Sequence, residues 1–465
     1  MFLRDTNLSE KKAFLVVGFI AVVHIFILSR LAFFPYPELL VYPYLTEAGL
    51  TPYKQILDQH FPGMMFFPIN LASLGINTPT EIRVLHLATV IATHLLLFVV
   101  AKKLFKSNLY ALSSNFFYTL WQPFYEGYAF WIDSLMPLLL LPAYYFLIDL
   151  KNKKKLFLAG FFLGISVLFK QVVIPLAGGL VVYTYFRKKS ISGIAPFLFG
   201  LAFPLIILFV WILSLGIWAD FFYWTVSFNL TTFSQMGRKY PSIGEFVRLS
   251  VIYAPIFVIA VINLLRSYKN VLLVIFLVGS LAFAYARFDY VHFQPSLIFI
   301  IILAVLTLKK LNRKYKFLFL GYFLIVTLFL LIPFYKRNTS DRVYFYGEFE
   351  QKLAEKVTDY VNGGDTIFAM GTTPHIYQLT KTQPPGDIFV FQFPWFMKVS
   401  EDRILSGIKY DMPKVVIRDN NSTVQGINLI SNMPKIQAYV NTNYSIIDKI
   451  DGVEILIPKD NENSN

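Results

Sequence analysis

The chain has no cysteine in 465 residues, which excludes a disulfide framework and a thiolate metal site. It is also poor in charge. Asp, Glu, Lys and Arg together make 15% of it against 56% hydrophobic and 18% aromatic residues, a balance that excludes a water-soluble globular domain of this size. No sequence repeat is evident, and no nucleotide-binding glycine pattern follows a predicted strand. The net charge of +14 would suit nucleic acid, but Lys and Arg stand in short clusters between apolar runs and form no amphipathic basic face. That placement speaks of topology in a bilayer, with membrane lipids and no nucleic acid as partners.

Apolar runs measured against a span of about 20 residues give about eleven helices. They fall near 13–33, 82–101, 109–124, 133–149, 156–169, 172–186, 192–214, 249–265, 270–285, 294–308 and 317–334. Cations mark alternate connections: Arg4, Lys11 and Lys12 before the first run, Lys102, Lys103 and Lys106 after the second, then KNKKK at 151–155, RKK at 187–189, Arg266 with Lys269, and KKLNRKYK at 309–316. By the positive-inside rule these connections face the cytosol, so the N-terminus lies inside and an odd helix count carries the C-terminus outside. The first run is too long for a signal-peptide core and is read as a membrane helix of an inner or plasma membrane protein.

The outer connections are the long ones. The first, about 35–81, holds apolar and aromatic residues at helical spacing between Pro and Gly breaks, which predicts short interfacial helices along the membrane surface. From about Tyr335 hydropathy collapses, and a helix in QKLAEKVTDYV with strands in DTIFAMG and KVVIRD predicts a small α/β domain. The expected fold is therefore a membrane all-α bundle over 1–334 followed by an extracytoplasmic α/β domain over 335–465. On the outer side, Asn-x-Ser/Thr triplets at Asn229, Asn338, Asn421 (overlapped by one at Asn420) and Asn443 read as chance occurrences.

Ionisable groups of the outer half gather at helix ends: Glu38 just after the first run, Asp58 and His60 in the same connection, Glu126 and Asp133 around the next, Lys170 in the third, and Arg287, Asp289 and His292 in the last. Each also has a plain structural reading. Asp58 can cap a short helix, and Lys170, Arg287 and His292 can reach lipid headgroups. His86 and His94, eight positions apart on one helix with no carboxylate at ligand spacing, read as packed histidines rather than a metal site. Tyr42, Tyr53 and Trp131 are the aromatics placed to stack a sugar.

In their order along the chain, several pieces carry a family likeness: an acidic residue after the first helix, Gly49 to Tyr53 as G-x-x-x-Y, DQHFPG at 58–63, GFFLGISVLFKQ at 160–171, Arg287 with HFQP at 292–295, and GDTIFAMGTTPHIYQLTKTQPP at 364–385. On these the sequence resembles the GT-C superfamily of lipid-sugar-dependent glycosyltransferases, and within it bacterial proteins similar to protein O-mannosyltransferases. It departs from the family pattern at the first acid, where Pro37-Glu38 stands in place of an Asp or Asp-Glu.

The resemblance implies transfer of a sugar from a polyprenyl-phosphate donor to a hydroxyl acceptor of protein, lipid or envelope glycan on the outer face. Such transfer needs a carboxylate to take the hydroxyl proton and cations to receive the departing phosphate, and one carboxylate suffices for inversion. On this basis Glu38 is expected to be the base and Asp58 a second, orienting carboxylate, with Lys170, Arg287 and His292 on the donor phosphate. His60, Glu126, Asp133 and Tyr53 are then left for the acceptor or sugar. No cofactor is required; a divalent cation, were one used, would fall to Asp58, Glu126 and Asp133. The tail shows no catalytic set and reads as a lid. The alternatives are a transporter or flippase for lipid-linked glycans, which calls for ionisable groups near mid-membrane, and a non-catalytic envelope scaffold.

Overall fold

The structure, a computed structural model, describes residues 8–266 and 270–459. Arg4, Lys269 and the side chain of Arg266, three of the cations used for orientation, lie outside the described residues. The chain forms two compact units. One comprises the chain up to Pro35, Thr80–Val210 and Lys239–Arg342; the other comprises Tyr36–Pro79, Trp211–Arg238 and the chain from Val343 onward.

The first unit is helical, and each of the eleven apolar runs contains helix. Five helices are long and apolar enough to cross a membrane: Glu10–Ser29, Pro79–Phe105, Ile191–Ser214, Tyr290–Lys310 and Arg313–Asn338. Shorter ones are Asn108–Trp121, Ile132–Leu147, Lys153–Phe169 and Ile174–Lys188. The run near 270–285 divides into Val271–Ser280 and Ala282–Ala286. At the break the Ser280 hydroxyl donates to the carbonyls of Phe276 at 2.6 Å and Leu277 at 3.0 Å, competing with the backbone for its acceptors.

Gln294–Lys310 is the central helix. It is apolar all round, and every residue from Gln294 to Val305 is buried, as expected of a helix surrounded by others. The peripheral Glu10–Ser29 instead leaves Leu15 74% and Phe19 68% exposed, surface that only lipid would cover without cost. Lys153–Phe169 and Ile191–Ser214 cross through glycines: a Cβ on Gly160 would lie 2.0 Å from the Phe197 carbonyl oxygen, and one on Gly200 2.0 Å from that of Phe157. Backbone touches backbone there, the small-residue packing of helices in lipid.

Buried polar groups of this unit pair with one another. His24 Nδ1 lies 2.9 Å from His94 Nε2 and His24 Nε2 3.0 Å from Gln122 Oε1, while the Asn115 amide lies 3.0 Å from His94 Nδ1. His86 instead bonds the Gly127 carbonyl at 2.8 Å. Each histidine therefore has its own partners, and His24, Asn115 and Gln122 complete a network that helical spacing along one segment does not reveal.

In the second unit the first outer connection forms one helix, Glu38–Glu47, and a single short turn, Ala72–Leu74. The expectation of more than one interfacial helix is corrected here: Pro52, Pro62 and Pro68 remove backbone donors across the second stretch and break the period. Trp218–Phe222 continues through π-helical turns over Tyr223–Ser227 and Asn229–Phe233. The tail carries a four-stranded sheet of β1 (Ile367–Met370), β2 (Val415–Arg418), β3 (Tyr444–Ile450) and β4 (Val453–Pro458) in the order β1-β2-β4-β3. β1 and β2 are parallel with Ile367 opposite Val415, and β4 is antiparallel to both neighbours. β1 and β2 are buried along their whole length, the apolar run expected of strands covered on both faces. The amphipathic helix Glu348–Thr358 precedes β1. Arg418 and Glu454, directly opposed on β2 and β4, are joined at 2.8 Å.

Candidate active site

The residues singled out from sequence divide between the two units: Glu126, Asp133, Lys170, Arg287 and His292 in the first, Glu38, Tyr53, Asp58 and His60 in the second.

In the first unit three of them meet. Asp133 occupies the first turn of Ile132–Leu147, where unpaired N–H groups favour a carboxylate. Lys170 ends Lys153–Phe169 in an extended conformation, with almost no loop before the next helix. His292 lies on the turn Tyr290–Phe293 that leads into the central helix. Lys170 Nζ donates to Asp133 Oδ2 at 2.5 Å, and His292 Nδ1 lies 3.1 Å from Asp133 Oδ1 and 3.4 Å from Lys170 Nζ. Asp133 is wholly buried, and Lys170 and His292 nearly so. The Phe283 ring, 5.2 Å from Lys170 Nζ, closes another side of the ammonium. Asp133 thus serves as counter-ion to Lys170.

Beside this cluster, Asp289 takes Lys239 Nζ at 2.6 Å and Arg287 Nε at 3.1 Å, so two cations share one carboxylate. Lys239, on the connection before Ile243–Arg266, thus belongs to this group. Glu126 sits in the left-handed region at φ 53°, and its Oε2 accepts from the Val291 N–H at 3.0 Å. Burial, reinforced by the Asp289 carboxylate, pushes the Glu126 pKa up to about 7. Trp131 is buried and offers no open ring face.

In the second unit Glu38 begins the helix Glu38–Glu47 and is 9% exposed. One turn on, the Tyr42 hydroxyl donates to Asp58 Oδ2 at 2.7 Å. Burial, then the charges of Asp58 and Glu38, hold the Tyr42 phenol well above its usual pKa, so it stays a donor. Asp58 Oδ1 accepts from the His60 N–H at 2.7 Å and lies 3.0 Å from His60 Nδ1, and the Tyr53 hydroxyl donates to the His60 carbonyl at 2.8 Å. Tyr42 and Tyr53 are fully buried, and both hold the Asp58–His60 turn. Asn229, passed over as a chance triplet, reaches the same turn: its amide donates to the Gln59 carbonyl at 2.9 Å. Among the described residues no group of three or more His, Asp or Glu is arranged to hold a metal ion.

No protein-family model and no curated protein sequence matches the chain. Solved structures do. ArnT from Cupriavidus metallidurans in its apo state superposes with a TM-score of 0.61 at 12% identity over 95% of this chain and 97% of that one. ArnT bound to undecaprenyl phosphate gives a TM-score of 0.61 at 11% identity over 97% and 99%. The chain therefore shares the fold of ArnT. The arabinofuranosyltransferase AftD from Mycobacteria is similar as well, with a TM-score of 0.51 at 12% identity over 99% of this chain but 42% of AftD. At such identities the likeness is one of fold. Five helices long and apolar enough to cross a membrane make the chain an integral membrane protein.

Proposed function

We propose that the chain is a membrane glycosyltransferase of the protein O-mannosyltransferase-like kind, moving one hexose-type sugar from a polyprenyl-phosphate donor to a hydroxyl acceptor on the outer face, with inversion. The observation that carries the reading is the fold, shared over 97% of the chain with ArnT holding undecaprenyl phosphate. In this reading eleven spans place the N-terminus inside and the tail outside, and residues 1–334 and 335–465 serve as membrane and extracytoplasmic parts.

The acceptor oxygen attacks the anomeric carbon as the bond from that carbon to phosphate breaks. The hydroxyl proton passes to Glu38, and the polyprenyl phosphate leaves as a stable anion with no acid needed. Arg287 and Lys239, gathered at Asp289, are the cations offered to that anion, and Lys170 and His292 add N–H donors oriented by Asp133. Asp58 orients the acceptor side through His60 and Tyr42. A transporter reading asks for ionisable groups near mid-membrane; the histidines within the helices are engaged in hydrogen bonds to Gln122, Asn115 and the Gly127 carbonyl, which supports a structural role for them.

The test is transfer of labelled sugar from defined polyprenyl-phosphate donors by protein in lipid membranes. Glu38→Gln should lower turnover by about 10²–10⁴-fold with no change in thermal unfolding. Full activity in that variant removes Glu38 as base, and wild type inert toward every such donor removes the reading.

A further inference from the structure

The tail contains a cleft that the proposed chemistry does not use. It has a volume of about 470 Å³, within the range of about 300–1,000 Å³ typical of small-molecule sites. It opens at the carboxyl ends of the parallel strands β1 and β2, between the segment that follows β1 at 371–374 and the one that follows β2 at 419–424. The carboxyl edge of parallel strands is where open α/β sheets take their ligands.

The floor is held in place by the main chain. Gly371 has φ 69°, and a Cβ there would stand 2.8 Å from the Asp419 carbonyl oxygen, so the two segments touch. Gln392 clamps the first, accepting from the Gly371 N–H at 2.7 Å and donating to the Ala369 carbonyl at 2.5 Å. Asp419 is fixed from both ends: its N–H donates to the Met370 carbonyl at 3.0 Å, and its Oδ1 accepts from the Asn421 N–H at 2.9 Å.

The walls decide the ligand. Phe349 and Phe393 are half-buried aromatics on the lining, and Phe393 lies nearly parallel to Phe391 with ring centroids 5.8 Å apart. Phe345 is fixed by stacking on the buried His375 at 5.3 Å. The lining also includes the polar residues Glu350, Thr372, Asp419 and Ser422. Among the described residues that line it there is no Lys or Arg, so phosphates, nucleotides and acidic sugars meet carboxylate and no counter-charge. Ring faces suit the apolar C–H face of a sugar, and carboxylate and hydroxyls suit its hydroxyl groups.

We infer that this cleft binds an uncharged saccharide; resting on the function proposed above, the bound sugar is the glycan part of the acceptor. That gives the tail a capture role in place of a passive lid.

The experiment uses the full chain in phospholipid nanodiscs, because glycoside detergents would compete. Probes are linear trisaccharides of mannose, glucose, galactose and N-acetylglucosamine, with trigalacturonic acid and a Phe-rich tripeptide as contrasts, read by saturation-transfer NMR. At least one neutral trisaccharide should bind with a Kd in the millimolar range, weakened about 10-fold by Phe349→Ala and about 5-fold by Thr372→Val with thermal unfolding unchanged. No neutral probe binding up to about 20 mM, binding undiminished in both variants, or preference for the acidic sugar or the peptide overturns the inference. Donor turnover is measured on the same wild-type preparation. Saccharide binding without turnover removes the proposed function and leaves the cleft, and turnover without saccharide binding does the reverse.

Discussion

Asp133 and Asp58 are both almost sealed from solvent, at 0% and 2% exposure, yet their surroundings are opposite in kind. Asp133 faces an ammonium at 2.5 Å and an imidazole at 3.1 Å, whereas Asp58 is held by a phenol, a backbone N–H and an imidazole. A buried carboxylate with a full counter-charge is neutralised and becomes part of the cation's scaffold. Asp58 has no ammonium against it and instead fixes the phenol, the backbone N–H and the imidazole of its own turn.

The sharpest way to break this contrast is Lys170→Met, which strands a buried carboxylate and should cost about 3–5 kcal/mol, read as an earlier thermal transition in nanodiscs. Pairing it with Asp133→Leu should restore most of that stability while sugar transfer stays lost. A single variant as stable as the double would show that Asp133 is no counter-ion.

Glu126 offers the next effect. Its folded pKa of about 7 lies above the ordinary 4.5, so its contribution to stability is full below pH 4.5 and is lost as pH rises to 7. The loss should be on the order of 2 kcal/mol after allowance for partial solvation, and Glu126→Gln should flatten that part of the stability profile. A wild-type profile level between those limits contradicts the environment described for Glu126.

Asp58→Asn keeps the shape but not the charge, and should cost about 1–2 kcal/mol while moving Tyr42 toward normal titration. A loss as large as that from Lys170→Met would erase the distinction between the two aspartates. Smallest is Lys239→Ala, where the pair with Asp289 is partly solvated and worth about 0.5 kcal/mol; its larger consequence should be a higher KM for the polyprenyl-phosphate donor.

Apolar run length was enough to find the helices, because bilayer thickness dictates that one quantity. The break at Leu281 escaped it, since a serine bonding back to its own helix leaves hydropathy unchanged. Pairing escaped it too. Asp133, Lys170 and His292 are separated by 37 and 122 positions, and nothing local to any of them names the other two. Lys239 finds its partner Asp289 50 positions away, and His24 finds His94 70 positions away, separations at which hydropathy carries no signal. Sequence shows which chemistry is affordable at each depth, while tertiary contact decides who neutralises whom.

The glycine crossing of Lys153–Phe169 with Ile191–Ser214 reaches further than packing. Gly160 lies ten positions before Lys170, the residue that caps the same helix, about 15 Å along its axis. The seat of backbone on backbone therefore sets the height at which the ammonium stands. A single added methyl at Gly160 would act as a shim, lifting or turning the rod and detuning the charge at its far end without touching any residue near it.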